Sequence, residues 1–132
     1  SLFDNSLSVI ALTADQRLIC FKEFNPGFTR TIGKIRGLTG ADTALVGIDF
    51  RVQDGNLYGV GNGNGVYRID RNTGTATFVN SLTVPLNGTV FGVDFNPAAD
   101  RLRIISDTGQ NLRHNVNAGG VTLNDGTLNY MG

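Results

Sequence analysis

Asp49 and Asp94 recur in one setting, 45 positions apart, in a 132-residue chain that holds ten Asp and a single Glu, Glu23. Paired carboxylates are the machinery of glycoside hydrolysis. Asp is also the residue that turn-rich proteins use to hold their turns, and only Glu23 is on hand for a glutamate role. Asp49 and Asp94 therefore read as structural, each lying in a strand and needing donors from adjoining turns. His114 is the only histidine. There is no Gly-x-Ser-x-Gly elbow to make a triad with it, and one His without a soft second ligand does not build a transition-metal site. It is expected on the surface or between strands. Cys20 is alone in the apolar run Leu18-Ile19-Cys20-Phe21. It forms no intrachain disulfide and reads as a buried, inert thiol. No catalytic residue is assigned, and the chain is not expected to be an enzyme.

The series Gly59-Val60-Gly61-Asn62-Gly63-Asn64-Gly65 has the look of a phosphate loop. Such a loop needs a following helix to present its N-terminus to the anion, and here Val66-Tyr67-Arg68-Ile69-Asp70 reads as a strand. A hairpin turn is the better account. Asp107-Thr108-Gly109-Gln110-Asn111 and Asp70-Arg71-Asn72-Thr73-Gly74 offer oxygens for calcium, yet neither matches an EF loop or a nonapeptide repeat. Each reads as an Asp capping its own turn. No cofactor and no metal site are expected; a calcium ion held by carbonyls in a central channel is the one alternative left open. Arg101, Arg103 and Arg113 read as partners of Asp100 and Asp107, with an acidic polysaccharide as the competing reading. Asn87-Gly88-Thr89 fits a glycosylation acceptor and equally a turn before a strand.

Composition says what must position these residues. Glu and Lys, the usual coating of surface helices, number one and two, against 18 Gly and an excess of Thr and Asn. Thr belongs to strands, and Gly and Asn to turns, so the chain is expected to be all-β. Eleven basic residues cancel eleven acidic ones, which removes the field that nucleic-acid binders carry. No apolar run is long enough to span a membrane as a helix.

A repeat organises the whole. Leu45-Val46-Gly47-Ile48-Asp49-Phe50 is matched by Val90-Phe91-Gly92-Val93-Asp94-Phe95, and each Phe is followed seven residues later by a Leu, Leu57 and Leu102. Two units, at about 44–80 and 89–125, each offer four short strands. A unit at about 7–38 reads as degenerate, one strand short, and 127–131 reads as a leftover strand containing Leu128, Asn129, Tyr130 and Met131. Four-stranded units of 40–50 residues in tandem are the mark of β-propeller blades. A single domain, 1–132, forming a partial propeller of about three blades is therefore expected. Strand parity points Val46, Ile48 and Phe50 one way and Gly47 and Asp49 the other, with Phe91, Val93 and Phe95 set against Gly92 and Asp94. Ile48, Phe50, Leu57, Val93, Phe95 and Leu102 are the expected core. Gly47 and Gly92 are placed at inter-blade contacts, where a larger residue at 92 would overpack.

The runs Gly-Ile-Asp-Phe-Arg, Gly-Asn-Leu-Tyr-Gly-Val-Gly and Val-Tyr-Arg-Ile-Asp resemble the bacterial domain-of-unknown-function family numbered 4394. So does Phe-Gly-Val-Asp-Phe-Asn-Pro-Ala-Ala-Asp-Arg-Leu-Arg-Ile-Ile-Ser-Asp-Thr-Gly-Gln-Asn-Leu-Arg. The resemblance covers roughly residues 7–132, and 91–113 is its specific part. It implies a secreted or surface-associated, propeller-like repeat protein, with no activity and no catalytic residue to carry over. Family domains run on into further blades where this chain stops. The scarcity of Lys and Glu agrees with an extracellular location, any signal peptide having been removed. The expected role is a structural or interaction module of a surface assembly, completed by a second copy, in a dimer or a filament, or by a companion propeller subunit. The strand at 127–131 is the expected exchange element. The alternative is a glycan- or small-ligand-binding protein that uses the propeller mouth. Neither nucleic acid nor membrane insertion is expected.

Overall fold

Turn chemistry punctuates short β-prone runs along the chain, and among the described residues the result is eleven strands. The computed structural model describes residues 8–22 and 25–126. The strands are β1 (Ser8–Leu12), β2 (Arg17–Lys22), β3 (Asn25–Lys34), β4 (Leu45–Phe50), β5 (Leu57–Gly61), β6 (Gly65–Ile69), β7 (Ala76–Ser81), β8 (Phe91–Asn96), β9 (Arg101–Ser106), β10 (Asn111–His114) and β11 (Thr122–Asn124). They form three antiparallel meanders, β1-β2-β3, β4-β5-β6-β7 and β8-β9-β10-β11, none closed on itself. No helix occurs among the described residues.

Each sheet packs on the next, so the middle one is apolar on both faces. Leu18 of the first sheet shares a cluster with Leu45, Leu57, Tyr67 and Ile69 of the second. Tyr58, Val60 and Val66 on the opposite face of the second sheet pack with Phe95, Leu102, Ile104 and Leu112 of the third. Of the expected core, Leu57, Leu102 and Phe95 are buried, while Ile48, Phe50 and Val93 are half-buried. The expected parity of β4 holds from Gly47 onward but not at Val46. A bulge between Leu45 and Gly47 in the β4–β5 register turns Val46 toward the third sheet.

Two side chains show which strands correspond. Gln16 and Asn64 each precede a second hairpin strand and accept, through the side-chain oxygen, a backbone N–H at or before the first strand of the following sheet: from Leu45 at 2.7 Å and from Leu86 at 2.8 Å. They also share a left-handed backbone, with φ of 63° and 82°. Their carbonyls accept from Ile35 and Leu82 respectively, each at 2.8 Å. Hence β1 corresponds to β5, and through the sheet order to β9, not to β4 and β8. Among the described residues, the strand that the first sheet lacks is its first.

Candidate functional site

The first strands of the second and third sheets, β4 and β8, lie side by side, and the repeated Gly-x-Asp-Phe motif sits at their contact. At Gly47 the strands lie too close for a side chain: a Cβ there would fall 2.5 Å from Val93 Cγ2 and 2.8 Å from Val93 Cβ. Two positions on, Asp49 accepts the Phe95 N–H through Oδ2 at 2.8 Å. The donor is the neighbouring strand, not an adjoining turn as expected from the sequence. Burial raises the Asp49 carboxyl above the usual carboxylate range, the Phe95 and Phe50 N–H groups oppose the shift, and Asp94 adds to it.

Gly92 and Asp94 occupy the same positions in β8 and face the other way, onto a side that no described element covers. Both are exposed, and a Cβ on Gly92 meets nothing within 4 Å. The expected overpacking at Gly92 is therefore corrected: among the described residues the third sheet has no neighbour on that side to overpack against. The two phenylalanines differ for a related reason. Phe95 is buried and meets Tyr58 edge-on at 5.4 Å, whereas Phe50 is half-buried, with the Arg71 guanidinium 5.9 Å from its ring. Leu128, Asn129, Tyr130 and Met131, the expected assembly strand, lie outside the described residues.

Arg51, which the sequence reading passed over, closes the same interface from the turn after β4. Its side chain is 5% exposed and grips Asp100, in the turn after β8, with two nitrogens, Nε to Oδ1 at 2.8 Å. Nη1 reaches Asp54 at 3.2 Å, and Nη2 donates also to Asn117 at 3.0 Å. Tyr58 completes the network by donating to Asp54 at 2.6 Å. The hydrogen bond from Arg51 holds the Asp100 carboxyl below its ordinary range. At Asp54 burial pushes upward, but hydrogen bonds from Tyr58 and Asn56 and the Arg51 charge outweigh it, and the net shift is downward. The signal was a break in the repeat: Arg51 matches Asn96, which caps its own turn by accepting the Ala98 N–H at 3.0 Å.

The glycine series does bind an anion, one supplied by the chain. The Asp42 carboxylate accepts the N–H groups of Gly63 and Gly65, the latter at 3.1 Å, and the Tyr67 hydroxyl. A Cβ on Gly61 or Gly65 would come within 2.2 Å of that carboxylate. The glycines thus make room for an internal acid, and no motif in the sequence marked it. Of the two candidate calcium loops, Asp70 caps its own turn through the Asn72 N–H at 2.8 Å. Asp107 does not: it reaches back to the lead-in of β8, accepting the N–H groups of Thr89 at 2.9 Å and Val90 at 3.2 Å. Asn62 does the same for Thr43 and Ala44 before β4. Among the described residues no three His, Cys, Asp or Glu side chains converge as metal ligands.

His114 is fully buried rather than on the surface, and it locks the third sheet to the second. Asn80 spends its amide N–H groups on the Asn115 and Asn117 carbonyls at 3.2 and 3.1 Å, so its oxygen faces His114 Nε2 at 2.8 Å. That arrangement assigns the proton to Nε2 and leaves Nδ1 to accept from the Thr122 hydroxyl at 2.9 Å. Burial drives the imidazole pKa down to about 4. Cys20 is half-buried, not buried. The arginine pairing also differs from expectation: Arg103 and Arg113 both pair with Asp125, while Arg101 donates to the carbonyls of Ala99 and Asp100. Away from the β4–β8 contact, a groove of about 500 Å³ is lined by Asn56, Arg68, Asp70, Arg71 and Thr77, among others.

A family model described as "Domain of unknown function (DUF4394)" matches residues 17–132. No curated protein and no solved structure matches the chain.

Proposed function

The chain belongs to the DUF4394 family, whose description assigns no activity, and for a chain of this family we propose a non-catalytic structural or interaction module of an extracellular or surface assembly. Its three sheets are blades of an incomplete β-propeller, and association with a second copy or a companion subunit completes it. One observation carries this reading. The Gly47–Asp49 face of β4 receives Val93 and the Phe95 N–H of β8, while the same face of β8, Gly92–Asp94, is covered by no described element. At the other end of the stack Val9, Ala11, Ile19 and Phe21 form an apolar row whose counterparts on the second sheet, Leu57, Tyr67 and Ile69 among them, are buried. Soluble proteins do not leave such rows and edges open.

Sedimentation velocity at micromolar concentration tests the proposal: a species heavier than the 14.1 kDa chain is expected. A sharp monomer that persists to about 100 μM, far above the Kd of a specific interface, would overturn self-association. A second reading is a glycan- or small-ligand-binding protein. The groove beside Arg68, Asp70 and Arg71 favours it, since exposed cations and carboxylates beside an open groove suit a polar ligand. Binding on a glycan array that is lost in the Arg68→Ala variant would support this second role.

A further inference from the structure

Among the described residues β1 pairs with β2 alone, and no described strand lies on its second edge. Its counterparts have no open edge: β5 pairs on that side with β4, and β9 with β8. The backbone groups exposed on the β1 edge follow from the turn. The Thr13 N–H donates to the Arg17 carbonyl at 2.9 Å. Hydrogen-bonded pairs alternate along an antiparallel ladder, so the N–H and C=O groups of Ile10 and Leu12 face away from β2. Counting back from Gln16 and Asn64, Ile10 and Leu12 correspond to Tyr58 and Val60. Those two residues pair with Asp49 and Gly47 of β4.

The neighbouring strand reports the same gap. Phe95 of β8, packed beside β4, is buried, while Phe50 of β4, which has no described first strand of the first sheet beside it, is half-buried. We propose that the β1 edge is a docking site for one extended segment of a companion subunit carrying the Gly-x-Asp-Phe pattern of β4 and β8; this chain's own two copies of the pattern are already paired with β5 and β9. It pairs antiparallel to β1, with its Asp opposite Ile10 and its Gly opposite Leu12. This rests on the incomplete-propeller reading and adds the partner segment and its register. Main-chain hydrogen bonds to Ile10 and Leu12 hold the segment, as in other cases of strand addition. Its pattern supplies the selectivity. The glycine lets the segment approach Ile48 as Gly47 approaches Val93. The Asp carboxylate meets the Phe50 N–H as Asp49 meets that of Phe95.

The probe is a labelled peptide with the sequence of residues 88–96, added to the full chain, with anisotropy and amide exchange as readouts. Saturable binding is expected, with exchange at Ile10 and Leu12 slowed at least about tenfold. Peptides with Val at the Gly92 position, or N-methylated at the Asp94 amide, should bind at least about tenfold more weakly; they leave the protein untouched. Equal binding of a scrambled peptide, or free exchange at Ile10 and Leu12 in the presence of saturating peptide, overturns the proposal. So does binding that appears only after residues 1–7 or 127–132 are deleted, because that segment is then the occupant. The two ideas fail separately: a monomer that binds the peptide sinks self-association alone, and an oligomer that does not bind the peptide sinks the β1 site alone.

Discussion

Substituting alanine at Gly47 and at Gly92 puts the same chemical change at equivalent repeat positions with opposite surroundings. At Gly47 the new Cβ would lie 2.5 Å from Val93 Cγ2, against an optimal carbon–carbon separation of about 3.5–4.0 Å. Removing that overlap means moving β4 from β8 by about 1 Å, and the 2.8 Å Asp49–Phe95 hydrogen bond resists the movement. Overpacking of this kind costs about 1–3 kcal/mol. Restricting the unfolded chain returns about 0.4–1 kcal/mol, so the net loss is about 1–2 kcal/mol. At Gly92 only the returned part applies, because a Cβ there touches nothing. Thermal unfolding should show Gly47→Ala about 4–8 °C below the parent, taking roughly 4 °C per kcal/mol at this chain length, and Gly92→Ala at the parent value or slightly above. Trimming the opposing side chain adds a check: Gly47→Ala combined with Val93→Ala should lose less than the two single changes summed, by at least about 0.5 kcal/mol. Equal losses at both glycines, or no loss at Gly47, would refute the packing argument.

Arg51→Ala strands the Asp100 and Asp54 carboxylates. Each keeps about a quarter of its surface in water, so the loss in urea unfolding should be about 2–3 kcal/mol, short of the 3–5 of a fully buried pair. Asp49→Asn keeps an acceptor for the Phe95 N–H and removes the repulsion from Asp94, so it should be neutral or stabilising at pH 7. Asp49→Leu orphans that N–H and should cost about 1–3 kcal/mol in the same assay. His114 sets a pH dependence. Its folded pKa of about 4 lies below the unfolded value, so the unfolded chain takes up the proton first and stability falls as pH drops from about 6.5 to 4. The loss approaches about 3 kcal/mol, and His114→Gln should flatten the profile over that window. Asp42→Ala leaves the N–H groups of Gly63 and Gly65 without their carboxylate, and chemical denaturation should show a loss of about 2 kcal/mol.

The all-β class, the strand runs and the two full repeats were legible in the chain because each rests on local chemistry. A strand alternates every two residues, a turn needs Gly, Asn or Asp at set positions, and a duplicated motif is visible by eye. The Gly-x-Asp-Phe motif was legible as a repeat, but only its first copy meets a neighbouring strand among the described residues. What the sequence left undecided depends on groups that meet only after the sheets have stacked. Arg51 and Asp100 are 49 residues apart, and His114 and Asn80 are 34 apart; no periodicity links such pairs. The bulge that turns Val46 over is a one-residue slip in the ladder. Side-chain pattern alone does not register a slip until a partner strand is present. Asp42 was invisible because a carboxylate becomes the ligand of a glycine turn only when the fold carries it 21 residues along the chain to Gly63. Above all, two equivalent glycines carry the same letter in the sequence. Only the tertiary structure makes Gly47 a contact and Gly92 an open face, because what a residue may become depends on the sheet that packs against it.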